Sequence, residues 1–124
     1  MLVRVRPLLE ELVAQRRALR EQQEVLAAFQ AKARGNGGVA RSAEVVAAKQ
    51  AVDRLTTQIR EGIEQIQSLG CVLKDLEMGL VDFPAFRNGQ EVYLCYRLGE
   101  ERIAFWHGLD EGYASRKPLD EGLG

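Results

Sequence analysis

The sequence predicts an α+β protein in which a long antiparallel helical hairpin is followed by a small antiparallel sheet of three to four strands. Three observations carry this. Apolar residues recur every seven positions in two long segments before Gly70, composition changes abruptly at Gly70, and turn signals separate alternating apolar segments after it. The 124 residues are read as one domain, with a hairpin over 1–70, a β-meander over 71–107 and an irregular acidic tail over 108–124. Residues 1–70 hold a single aromatic, Phe29, and no cysteine, while the remainder holds every other aromatic, Cys71, Cys95 and the only histidine, His107. Chemistry, if present, belongs to the second half.

The first helix is announced by Val5, Leu12, Leu19 and Leu26 at period seven, with Leu8 and Phe29 three residues after the first and last of them. Gln15 and Gln22 interrupt this seam with amides. Gly35 to Gly38 breaks the helix, and Ser42 is a good N-cap for a second one running through Val45, Val52, Ile59 and Ile66. Leu55 and Leu69 extend that seam, Ala48 and Gly62 leave room for a neighbouring backbone, and Gly70 supplies the stop. A coiled-coil seam in two helices joined so closely requires them to run antiparallel. Leu9, Val13, Val25, Val46 and Ile63 widen the apolar stripe, so a second copy of the chain is expected to cover part of it, including Leu9, Val13 and Ile63.

In the second half, residues 71–75 read as a strand. Asn88-Gly89 is a two-residue hairpin signal, and Gly99-Glu100 is read as a second turn with glycine first. These turns fix a register. Asp82 is placed opposite Cys95 and Val81 opposite Tyr96; Leu94 is placed opposite Phe105, Cys95 opposite Ala104 and Tyr93 opposite Trp106. Alternation then gives an apolar face of Val81, Phe83, Val92, Leu94, Tyr96, Ile103 and Phe105, the natural cover for the helices. The other face carries Asp82, Tyr93, Cys95, Arg97, Arg102, Ala104 and Trp106.

That mixed face supplies the candidate binding residues: Asp82, Tyr93, Cys95, Arg97, Arg102, Trp106 and, at the strand end, His107. Cys95 has arginines beside it to favour a thiolate, but the register sends His107 to the opposite face and sets Asp82 against the thiol, which disfavours a catalytic dyad. Asp75, Asp82, Cys95 and His107 include acceptable metal donors, yet no pair has a recognised ligand spacing, so no metal is assigned. Asp82 is read chiefly as a partner for Arg97 or Arg102, and only secondarily as a base. The Tyr93–Trp106 pair is read as an interface platform, and Trp106 rather than His107 is expected to dominate the face.

A net charge of −1, divided into a basic first half (11 Lys/Arg, 8 Asp/Glu) and an acidic second half (6 and 10), disfavours nucleic acid. No apolar run approaches the roughly 20 residues of a membrane helix. The two cysteines fit neither a disulfide scaffold nor a zinc quartet, and the N-terminus lacks an apolar signal core, so free thiols in the cytoplasm are expected.

Gly79-Leu80-Val81-Asp82-Phe83-Pro84, Val92 to Tyr96 leading to Gly99-Glu100, Ile103 to His107, and Gly112-Tyr113 with Arg116 and Pro118-Leu119 together resemble domain-of-unknown-function family 2203, a set of small uncharacterised prokaryotic proteins. Tyr96 stands where tryptophan is frequent in that family, and the sequence lacks an upstream Phe-Thr-x-x-Glu-Ala-Asn-like segment, so either a late start of the sequence or a shortened member is expected. The resemblance implies no activity, cofactor or substrate. The residues themselves point first to a non-enzymatic, homodimeric protein-interaction module using the mixed sheet face, with self and a further protein as partners and no cofactor. The alternative is a small-molecule- or metal-dependent enzyme with a cleft lined by Asp82, Cys95, Trp106 and His107.

Overall fold

A computed structural model of the chain describes residues 1–35 and 42–119. Two helices, α1 (Leu2–Gly35) and α2 (Ala43–Ser68), form a helical hairpin and are followed by five strands: β1 (Val72–Asp75), β2 (Leu80–Arg87), β3 (Gln90–Arg97), β4 (Phe105–Gly108) and β5 (Lys117–Pro118). The sheet is antiparallel throughout, in the order β1-β2-β3-β4-β5. It thus has one more strand than the upper expectation. No helix among the described residues is long and apolar enough to cross a membrane. The glycine-rich break expected between the helices lies, beyond Gly35, outside the described residues, as does the tail beyond residue 119.

Contacts divide the chain into two compact units, residues 14–61 and residues 1–13 with 62–124. In the first, the seam residues Leu19, Val45, Ala48, Leu55 and Ile59 are buried, while Val25 and Val46 remain 38% and 47% exposed. The Ser42 hydroxyl accepts the Val45 N–H at 3.3 Å, the capping bond its position predicts.

The second unit buries Val5, Leu9, Leu12 and Val13 from α1 and Ile66 from α2. Here the structure corrects an expectation: Leu9 is fully buried and Val13 nearly so within the chain, so neither awaits a second copy. A Cβ on Gly62 would lie 2.5 Å from Leu12 Cδ2, so this glycine gives the close approach its seam position suggested. Gly70 adopts φ +94 at the end of α2 and turns the chain into β1.

Asn88 (φ +53) and Gly89 (φ +79) form a turn with two left-handed residues, which matches strand twist and sets the β2–β3 register as expected: Phe83 faces Leu94, Asp82 faces Cys95 and Val81 faces Tyr96. Pro84 lies past the last β2 residue paired with β1, where its missing N–H leaves no ladder bond unmade on that side.

The β3–β4 register differs from expectation by one residue. Leu94 faces Trp106, Cys95 faces Phe105 and Tyr93 faces His107. The connection is not a two-residue turn, because Glu100 and Glu101 are held by other partners. Tyr96 donates its hydroxyl to the Glu100 carbonyl at 2.9 Å, Arg6 donates to the Glu101 carbonyl at 2.6 Å, and the Glu100 carboxylate binds Arg116. The loop so fixed takes up one residue more than the hairpin rule allows. Since side chains alternate, that single residue exchanges the faces of every β4 side chain.

Candidate metal centre

Both faces of the sheet are covered at its middle. Val81, Phe83 and Tyr96 share one face, where Arg6 of α1 donates to the Tyr96 hydroxyl at 3.2 Å. The other face carries Asp82, Cys95 and, through the shifted register, Phe105 and His107. The C-terminal segment, expected to be an irregular tail, closes over it through a short 3-10 turn (Tyr113–Ser115) and β5, with Arg116 stacked 4.0 Å from the Phe105 ring centre.

Asp82, Cys95 and His107 are at most 2% exposed, and their donor atoms all lie within 4.8 Å of one another. His107 Nδ1 is 2.8 Å from the Gly108 carbonyl oxygen. A carbonyl only accepts, so Nδ1 carries the proton. The Nε2 edge points at the Asp82 carboxylate, 3.1 Å from each oxygen. In a neutral imidazole this arrangement sets a nitrogen lone pair against carboxylate lone pairs, so a cation or a second proton belongs between them. Tetrahedral zinc, with bonds of about 2.0–2.3 Å, spaces its donors roughly 3.3–3.8 Å apart; here the imidazole–carboxylate separation of 3.1 Å falls just below that range, and all three donors lie within 4.8 Å of one another.

The thiol of Cys95 is pushed up to about 11 from its ordinary 9.0 by burial first and by the Asp82 charge second, with Arg116 opposing. Arg116 donates toward Cys95 Sγ at 3.9 Å and forms a two-pronged ion pair with Glu100 at 3.0 and 2.7 Å. Without a bound cation Cys95 is therefore a protonated thiol, not a nucleophile at neutral pH. Burial also raises the thiol of Cys71, which is free, buried and bonded to the Ile66 carbonyl at 3.2 Å.

A cavity of about 200 Å³ opens onto the three donors, with Lys74, Leu80, Glu111, Gly112 and Tyr113 completing its wall. Glu111 braces that wall. Its carboxylate accepts the Gly108 N–H at 2.7 Å and pairs with Lys117 at 2.9 Å, and these two contacts, in that order, hold its carboxyl below the ordinary range.

Of the residues expected to form a site, the structure brings together Asp82, Cys95 and His107, with Tyr93 packed 5.7 Å from the imidazole and Arg97 bonded to the Tyr113 hydroxyl. Two others are elsewhere. Arg102 lies in the exposed β3–β4 connection and does not line the cavity. Trp106 sits on the opposite face, flanked by Arg87 and Lys117 at 4.6 and 4.7 Å, with its Nε1 buried and unpartnered. The Tyr93–Trp106 pair and the Cys95–Ala104 pair do not form. His107, which the sequence register aimed at the helices, is the residue that completes the cluster. Sequence reasoning missed Lys74, Glu100, Glu111, Tyr113 and Arg116 as parts of the site. A signal for Glu100, Tyr113 and Arg116 was present in the Gly99-Glu100, Gly112-Tyr113 and Arg116 motifs that carry the family resemblance.

The profile of the family described as "Uncharacterized conserved protein (DUF2203)" matches residues 1–119, and the chain belongs to that family. No curated protein and no solved structure matches it.

Proposed function

We propose that this DUF2203 protein binds one divalent transition-metal ion of the zinc class through Asp82, Cys95 and His107. The observation that carries the proposal is the His107 geometry: Nδ1–H is spent on the Gly108 carbonyl, and Nε2 is aimed at a buried carboxylate with a buried thiol beside it. Fixing one ring nitrogen by a backbone carbonyl is how ligating histidines are usually oriented. The metal takes the place of the Cys95 proton, and Arg116 beside Sγ favours the resulting thiolate.

Three protein ligands leave a fourth position, and the cavity lies next to it. Closed four-ligand sites are structural, whereas three ligands and an open position make Lewis-acid chemistry available to a small substrate. This supports the enzyme alternative over the interaction module, with His107, not Trp106, at its centre.

The test is metal content after zinc loading and exhaustive dialysis, measured by plasma mass spectrometry. One equivalent is expected, with affinity lowered by about 100-fold or more in Cys95→Ser and in His107→Ala, since each removes a ligand. Substoichiometric metal in the wild type, or full retention in His107→Ala, overturns the proposal and leaves a buried imidazolium–carboxylate pair.

The interaction reading keeps one supporting observation, the exposure of Val25 and Val46 on the helices. A homodimer through that surface predicts that Val46→Glu shifts the sedimentation coefficient at micromolar concentration. A wild type that sediments only as a 13.9 kDa species removes that reading.

A further inference from the structure

We infer that the ligand of the open metal position is a small oxyanion, a carboxylate or a phosphate, held by the metal on one side and by Lys74, with the Tyr113 hydroxyl, on the other. The inference rests on the metal proposal and extends it to the class of substrate.

Charge balance around the cavity carries the argument. A divalent ion with the Asp82 carboxylate and the Cys95 thiolate is neutral, so the centre itself neither attracts nor repels an anion. Of the remaining carboxylates, Glu111 is paired with Lys117 and Glu100 with Arg116. One cation of the wall, Lys74, stays uncompensated, and the Arg97 guanidinium lies outside the lining. The Lys74 ammonium lines the cavity and engages only the Tyr93 ring, 5.3 Å from its centre. The Arg97 guanidinium engages only Tyr113, through its hydroxyl at 3.0 Å and its ring at 5.6 Å. Neither side-chain cation pairs with a carboxylate among the described residues, although the Arg97 backbone N–H donates to the Glu100 carboxylate at 2.6 Å. Lys74 thus sets one unpaired positive charge in the wall beside a neutral centre, which favours an anionic ligand over a cationic one.

Hydrogen bonding agrees with charge. The Tyr113 hydroxyl oxygen accepts from Arg97, which leaves its own proton to donate, and Tyr113 lines the cavity. Lys74, exposed and on the bulge where the β1–β2 register shifts between Leu73 and Asp75, donates from a mobile four-carbon stem. At about 200 Å³ the cavity is large enough for a small carboxylate or a phosphate.

The test uses the full chain loaded with cobalt(II), whose visible absorption bands respond to any change in coordination, titrated with acetate and separately with inorganic phosphate at constant ionic strength. A saturable spectral change is expected with at least one of the two anions. It should weaken about tenfold in Lys74→Met, the loss expected for one charge-assisted hydrogen bond, while cobalt affinity is unchanged. A response to acetate alone identifies a carboxylate ligand, and a response to phosphate alone identifies a phosphate. Cobalt bound one to one with no response to either anion overturns the inference and spares the metal reading. So does a response of equal affinity in wild type and Lys74→Met, which would mean simple coordination to an accessible metal. Failure to bind cobalt at all removes both.

Discussion

Two cross-strand pairs at the centre of the β2–β3 hairpin are one residue apart and opposite in chemistry. Val81 and Tyr96 are at most 1% exposed, and Cys95 and Asp82 at most 2%. The first pair faces the α1 side, where the Tyr96 hydroxyl both accepts from Arg6 and donates to Glu100. The second faces the C-terminal segment and joins His107. Equal burial therefore has different consequences. Apolar area removed from water stabilises at about 25 cal/mol per Å², whereas a buried carboxylate and imidazole must first recover a desolvation penalty. One face holds the sheet to its helix, and the other buries polar groups whose desolvation must be offset by their mutual contacts.

The comparison breaks most visibly on the apolar face. Phe83→Ala, in a residue 7% exposed between Val81 and Ala85, removes a ring from the core and should lower unfolding free energy by about 3–5 kcal/mol in urea titration. On the polar face the sign depends on how many groups are removed. In chelator, His107→Leu alone leaves the Asp82 carboxylate buried and should cost about 3 kcal/mol. Asp82→Leu combined with His107→Leu should recover most of that loss, because an apolar pair of similar volume needs no charge compensation. A double variant as unstable as the single one would mean that the cluster is structural after all.

The same contrast explains what was legible in the sequence. Heptads, the Ser42 cap, the Gly70 stop and the Asn88-Gly89 turn are local devices whose partners lie within a few residues, and they gave helices and the β2–β3 register correctly. Gly99 does take a positive φ of +109, so the turn signal there was sound. What defeated it is non-local: Arg6 is 95 residues from Glu101 and Arg116 is 16 from Glu100, and neither contact leaves a periodic trace. Asp82 opposite Cys95 was readable because it depended only on the first turn. His107 was not, since a shift of one residue moved it from one face to the other and took Trp106 the opposite way. The C-terminal strap was unreadable for a related reason. Its strand β5 is two residues long and is defined by pairing with β4 rather than by any alternation of its own.

The smallest expected effect is also the one that discriminates between an occupied and an empty cluster. Cys95 in the metal-free protein holds its proton to about pH 11, whereas an unfolded cysteine releases it near 9. Between these values the native state binds one more proton than the unfolded state, so stability falls as pH rises. It is fully present below about pH 9 and is lost through about pH 11, at a slope approaching 1.4 kcal/mol per pH unit. Cys71, raised in the same direction by burial, adds to that fall in both wild type and Cys95→Ser, so the difference between the two isolates Cys95. With zinc bound the native thiol has no proton to keep, and the sign reverses. The unfolded state is then the one that takes up the proton below about pH 9, so the Cys95 contribution rises with pH up to that value and is flat above it. Urea titrations of wild type and Cys95→Ser across pH 7–10.5, with zinc and with chelator, should therefore give difference curves of opposite slope. Identical curves in the two conditions would mean that zinc does not displace the Cys95 proton and that the thiol is no ligand.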